Sequence, residues 1–141
     1  MPACEKEFPS HASSVAKARE FVRGYLTAWE LSAGDISDVL MASGEACSNA
    51  ILYAASEKPF RVSCQYEGGV LTVKVQDSGR GFVLQGSGLG HKPRALGAGG
   101  LGIHIMRVLM DEVSFEMSEQ GTTVKLLKRI AKSKKPTEQF Q

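Results

Sequence analysis

Between residues 62 and 82 the chain reads Val62-Ser63-Cys64-Gln65-Tyr66-Glu67-Gly68-Gly69-Val70-Leu71-Thr72-Val73-Lys74-Val75-Gln76-Asp77-Ser78-Gly79-Arg80-Gly81-Phe82. Val62, Cys64 and Tyr66 alternate before Glu67-Gly68-Gly69, and Leu71, Val73 and Val75 alternate after it, which predicts a β-hairpin with one apolar face. The segments on either side supply what covers that face. Upstream, Val15, Ala18, Val22, Tyr25, Leu26 and Trp29 recur at three- and four-residue steps after Pro9-Ser10 and predict an amphipathic helix over residues 12–30. Past Gly34, a second stripe of Ile36, Leu40, Cys47, Ala50, Ile51 and Ala54 predicts a helix reaching residue 55, and Pro59 bars its continuation.

Downstream, glycine is dense from Ser78 to Gly102 and apolar periodicity disappears, so a long loop is expected there. Ile103, Met106, Val108, Leu109 and Met110 then suggest a short helix. Val113, Phe115 and Met117, a turn at Gln120-Gly121, and Val124 and Leu126 predict a closing hairpin. Helices that precede and interrupt tightly joined strands imply an α+β two-layer sandwich, its mixed sheet mostly antiparallel and its helices on one face. We read one domain over residues 5–130 and a basic, polar, flexible tail over 131–141.

The composition fits that scale. With 141 residues, 43% of them hydrophobic, the chain can build one ordinary core. No apolar run approaches the length that spans a bilayer and residues 1–10 hold no signal-like block, so a soluble cytoplasmic protein without a membrane partner is expected. Cys4, Cys47 and Cys64 are odd in number and far apart, which gives neither a disulfide framework nor a zinc pattern; Cys47 and Cys64 fall on apolar stripes and read as core thiols. A formal net charge of +2 does not argue for nucleic acid. Lys125, Lys128, Arg129, Lys132, Lys134 and Lys135 lack interleaved aromatics and read as a solvated last strand and tail rather than a nucleic-acid surface.

Three clusters stand out chemically. Glu45 and Asn49 are four apart and share one helix face, turned away from the Cys47, Ala50, Ala54 stripe; from this helix alone, two solvent-facing polar residues are the simpler reading. Asp77-Ser78-Gly79-Arg80-Gly81 follows a strand directly and delivers an acceptor-only carboxylate into a turn, although Asp and Gly are also ordinary turn residues. Gly97-Ala98-Gly99-Gly100-Leu101-Gly102 leads into a helix, where backbone N–H groups and the helix N-terminus suit a phosphate. It is neither a Walker A sequence nor a Rossmann fingerprint.

In this order, and with Gly121-Thr122-Thr123-Val124 on the last strand, the motifs resemble those of the GHKL ATPases. More closely, Glu45-Ala46-Cys47-Ser48-Asn49-Ala50, Asp77 to Phe82, Gly100-Leu101-Gly102, Met110-Asp111-Glu112-Val113 and Gly121 to Val124 look like the bacterial anti-sigma-factor serine kinases of the RsbW and SpoIIAB type. The resemblance implies the GHKL ATP-binding fold and an ATP site in which Asn49 holds Mg²⁺ and Asp77 accepts the adenine amino group with Thr122 in support. Gly79 and Gly81 would pass close to the base, and Gly99, Gly100, Leu101 and Gly102 would face the phosphates. It further implies Glu45 as general base toward a serine on a STAS-type anti-sigma-factor antagonist, a sigma factor or equivalent regulator as second partner, a homodimer, and a partner surface near Arg19 and Arg23 of the first helix.

The match departs from the family in its lid. Many of these kinases carry an arginine just before the Gly-Leu-Gly, where this chain has Ala98-Gly99. Arg94 is the nearest arginine, and His91 and Lys92 lie in the same segment. A cation on the transferring phosphoryl group can be worth orders of magnitude in rate. A nucleotide-gated binding module without phosphoryl transfer is therefore the alternative to a kinase. A sensor histidine kinase is the third reading, disfavoured because neither His11 nor His104 sits on a dimerisation hairpin.

Overall fold

The computed structural model describes residues 3–54, 57–79 and 93–130, the side chains of 93–100 excepted. Its elements run β1 (Cys4–Phe8), α1 (Ser14–Leu26), α2 (Ala33–Ala54), β2 (Phe60–Glu67), β3 (Val70–Gln76), α3 (Pro93–Leu109), β4 (Glu112–Ser118) and β5 (Gly121–Arg129). The five strands form one sheet in the order β1-β2-β3-β5-β4, and every pairing is antiparallel. The predicted α+β sandwich is therefore present, with an antiparallel sheet.

The hairpin from β2 to β3 turns at Gly68 and Gly69, whose φ values of 61° and 79° require the left-handed region at both central positions, as in the two-residue turns that match strand twist. Its register sets Val62 opposite Val75 and Cys64 opposite Val73. Val62, Cys64, Leu71, Val73, Val75, Val124 and Leu126 are buried on the helix side, whereas Arg61, Gln65, Lys74 and Gln76 are exposed on the other face. One packed and one solvated face is the usual arrangement of an antiparallel sheet.

Ser32 opens α2 by accepting the Asp35 N–H on its Oγ at 3.0 Å, and Asp35 places a negative charge in the first turn. This helix is buried on nearly every side because it touches α1, α3 and the strands β3 and β5. Val39, Ala42, Ala46 and Cys47 are wholly enclosed. Cys64 is buried as well, in agreement with the reading of two core thiols.

Four expectations need correction. The first helix ends at Leu26 rather than near residue 30; Ala28 N–H and Trp29 N–H bond three residues back, to Tyr25 and Leu26 carbonyls, in a tightening turn. Trp29 still reaches the core from that turn, its ring 4.6 Å from that of Tyr66. Residues 93–102, expected in the loop, begin α3. Glycine costs about 1 kcal/mol per helical position, yet α3 packs along α2 and buries Met106, and Pro93 stands at the first helical position, where its missing N–H is harmless. Strand β1 was not foreseen, because Cys4, Glu5, Lys6 and Glu7 are all exposed at a sheet edge and show no alternation.

Lastly, Lys128 is not a solvated member of a basic run. Its side chain is 13% exposed, and Nζ donates to the Leu109 carbonyl at 2.8 Å and sits 3.6 Å from an Asp38 carboxylate oxygen. It thus joins the C-terminal end of α3 to α2. The tail at 131–141 lies outside the described residues.

Candidate functional site

The site is built where α2, the end of β3, the start of β5 and α3 meet. On α2, Glu45 and Asn49 are one turn apart, and α3 crosses them at Gly102. A Cβ placed on Gly102 would stand 2.8 Å from Glu45 Oε1 and 3.8 Å from Asn49 Oδ1. Both side-chain oxygens therefore face the same short piece of α3 backbone, and only glycine leaves them that space. The solvent-facing reading of this pair is overturned for Asn49, which is 4% exposed; its Nδ2 has no hydrogen-bond partner among the described residues. An amide buried with unused donors is costly unless something else completes it.

Asp77 extends the ladder between β3 and β5 by one step, its N–H donating to the Thr122 carbonyl at 2.9 Å. Its Oδ1 accepts two backbone N–H groups, from Gly79 at 2.9 Å and from Thr122 at 3.3 Å. The Gly79 bond is a turn in which an aspartate caps its own chain two residues on. Burial pushes the Asp77 carboxyl above its usual range, and the two N–H bonds oppose that rise. Beside it, the Thr122 hydroxyl is enclosed and, among the described residues, without a partner.

Two glycines bring these parts together. A Cβ on Gly79 would collide with the carbonyl of Ala54, the last residue of α2, so the turn after Asp77 passes directly against the helix that carries Asn49. A Cβ on Gly121 would collide with the Asp77 carbonyl, and Gly121 holds φ at 148°, a region L side chains rarely adopt.

The structure thus brings Glu45, Asn49 and Gly102 into one cluster and Asp77, Gly79 and Thr122 into a second, tied to the first through the end of α2. Gly99, Gly100 and Leu101 lie on α3 instead of in a loop, with Leu101 62% exposed. Gly81, His91 and Lys92 lie outside the described residues, as does the side chain of Arg94. Arg19 is exposed on α1; its stem passes over Gly44, and with Arg23, Ile36, Leu40 and Met41 it lines an open groove between α1 and α2. Sequence reading missed the role of Lys128 in holding the far end of α3, and nothing in a lysine within a basic run could have signalled it.

A family model described as a histidine kinase-like ATPase domain matches residues 8–128. Among curated relatives, the chain is 33% identical to a serine-protein kinase RsbW of Bacillus licheniformis over 136 residues, covering 88% of this chain and 83% of that one. It is 28% identical to the anti-sigma F factor of Bacillus subtilis, covering 91% and 92%. Among solved structures, the RsbU and RsbW domains of a Mycobacterium tuberculosis protein superpose with a TM-score of 0.72 at 19% identity, over 92% of this chain and 33% of the longer one. A SiaB–SiaC complex from Pseudomonas aeruginosa gives 0.64 at 17% identity, over 88% of each. These two share the fold. The family match along residues 8–128, with the RsbW relatives at 33% identity, places this chain in the histidine kinase-like ATPase domain family, beside the RsbW serine-protein kinases.

Proposed function

We propose that the protein is an ATP-dependent serine kinase of a partner-switching system, which phosphorylates a STAS-type anti-sigma-factor antagonist and sequesters a sigma factor or an equivalent regulator. The observation that carries the reading is the convergence of Glu45 Oε1 and Asn49 Oδ1 on the backbone of Gly102, beside an Asn49 amide nitrogen that has no hydrogen-bond partner among the described residues.

The residues suit ATP with Mg²⁺. Asn49 Oδ1 is a hard, neutral oxygen of the kind Mg²⁺ takes, and the ion when bound would neutralise phosphate charge during transfer. Asp77, its Oδ1 committed to two backbone N–H groups, offers its carboxylate to an exocyclic amino donor, and the Thr122 hydroxyl, without a partner among the described residues, can join through water. Glu45 takes the proton of the attacking serine hydroxyl as that oxygen bonds to the γ-phosphorus and ADP leaves. Gly99 to Gly102 keep the α3 backbone free of side chains that would block the approach, Leu101 excepted. Homodimerisation and a regulator surface around Arg19 complete the proposal, with the likeness to the anti-sigma F factor as support for a sigma-factor-like partner.

One feature favours a second reading, a nucleotide-gated binding module: Ala98 and Gly99 stand where related kinases place a lid arginine. Incubation with Mg-ATP and the antagonist, followed by mass spectrometry for phosphoserine, separates the two. Stoichiometric phosphoserine supports the kinase. Nucleotide binding without transfer at any antagonist concentration leaves only the module.

A further inference from the structure

The cysteines are separated by 43 and 17 residues in sequence, at positions 4, 47 and 64, yet the fold lines them up. Cys4 on the edge strand β1 is the direct cross-strand partner of Cys64 on β2. Directly opposed residues of an antiparallel pair point to the same face, with Cα atoms about 4.5 or 5.5 Å apart depending on the hydrogen-bonding position. Both separations fall within the roughly 4.4–6.8 Å that a disulfide accepts. Cys64 is 1% exposed, Cys4 is exposed, and all three thiols are free.

We propose that Cys4 and Cys64 form a reversible redox site, in which a hydroperoxide oxidises the exposed thiol and the buried one resolves it into a cross-strand disulfide. The Cys4 thiolate attacks one oxygen of the hydroperoxide and the O–O bond breaks, giving a sulfenic acid and releasing hydroxide from hydrogen peroxide, or alkoxide from an organic hydroperoxide, which is protonated to water or to the alcohol. The Cys64 sulfur then attacks the sulfenic sulfur, the S–S bond forms, and water leaves with the second thiol's proton. Two electrons pass from the thiols to the peroxide, and an external thiol restores the reduced pair.

The order of events follows from the surroundings. Burial, with the neighbouring Cys4 adding to it, pushes the Cys64 thiol up to about 12, so it does not meet the oxidant first. Cys47 is enclosed on α2 and likewise pushed up to about 12, chiefly by burial and then by Cys64. It remains reduced while Cys4 and Cys64 react. The cross-link fastens the outermost strand, otherwise paired on one side only, to its neighbour. Disulfides that form in cytosolic proteins are usually transient and catalytic or redox-sensing.

The test treats the reduced full chain with a small excess of hydrogen peroxide, alkylates remaining thiols without reductant, and maps tryptic peptides. The expected result is a peptide carrying Cys4 linked to one carrying Cys64, a fall in free thiols to Cys47 alone, and full reversal by dithiothreitol. The cross-link should raise the melting temperature by roughly 5–15 °C. Cys4→Ser, an exposed and tolerable change, should leave Cys64 reduced under the same treatment, and Cys47→Ala should still form the link. Cys4 ending as sulfinic acid, or as a disulfide between two chains while Cys64 stays alkylatable, would overturn the proposal. So would a link that requires Cys47.

Discussion

Asp77 is a carboxylate held where water is scarce, and its two roles pull in opposite directions. Its folded-state pKa is raised, so between its ordinary value and the folded one the native state binds more protons than the unfolded state. The stability it contributes is complete below the ordinary carboxylate range and is lost as pH rises through the folded pKa. Asp77→Asn retains an oxygen for the Gly79 and Thr122 N–H groups and removes the charge. Urea titrations should show the variant at least as stable as the parent at pH 7, the difference closing at pH 4. Its ATP affinity should fall about 10- to 100-fold, since a hydrogen bond to a charged group is worth roughly 1.5–3 kcal/mol. At the other cluster, Gly102→Ala sets a methyl against Glu45 Oε1, the end of a flexible side chain. The roughly 1 kcal/mol that alanine gains over glycine in a helix offsets the displacement of Glu45, so global stability should stay within about 1 kcal/mol of the parent, while the phosphotransfer rate drops far more than nucleotide affinity. Asn49→Ala should weaken Mg-ATP binding and leave binding of nucleotide without Mg²⁺ much less affected, measured by calorimetry with and without chelator.

At the scale of elements, the contacts are backbone against backbone and the penalties are larger. Gly79→Ala drives a methyl into the last carbonyl of α2, and neither partner can rotate away; a loss of at least about 2 kcal/mol in denaturant melts is expected, together with loss of ATP binding. Lys128→Met keeps the buried stem but removes the donor to the Leu109 carbonyl and the partner of Asp38, for a loss of about 1 kcal/mol. The same elements show what a sequence can carry. The hairpin was legible because Gly68-Gly69 and a period of two agree with each other, and α2 because its stripe is long. The start of α3 was hidden, since glycine propensity argues locally for a loop while packing on α2 argues for a helix, and only Pro93 marks its beginning. Strand β1 was hidden because an edge strand with four exposed residues has no pattern to show. Within the candidate site, motif order is what nominated the residues, but Asn49 on its own looked like a solvated surface residue; its burial involves α3, an element its own helix says nothing about.

For the molecule as a whole, the arrangement divides labour. The sheet and α2 hold the Asp77 cluster through main-chain contacts, α3 lies over Glu45 and Asn49 at Gly102, and Lys128 fixes the opposite end of α3. Among the described residues no helix is long and apolar enough to cross a membrane. The proposal of a serine kinase rests on Glu45 acting in transfer rather than in binding. A single-turnover measurement of γ-phosphoryl transfer from Mg-ATP to the antagonist, in the parent chain and in Glu45→Ala, isolates that step. Removal of a general base costs about 10²–10⁴-fold in rate, so the account predicts a fall of at least 100-fold in Glu45→Ala with Mg-ATP affinity held within about threefold. Equal transfer rates in the two proteins, or a parent chain that binds Mg-ATP and transfers nothing, would contradict it.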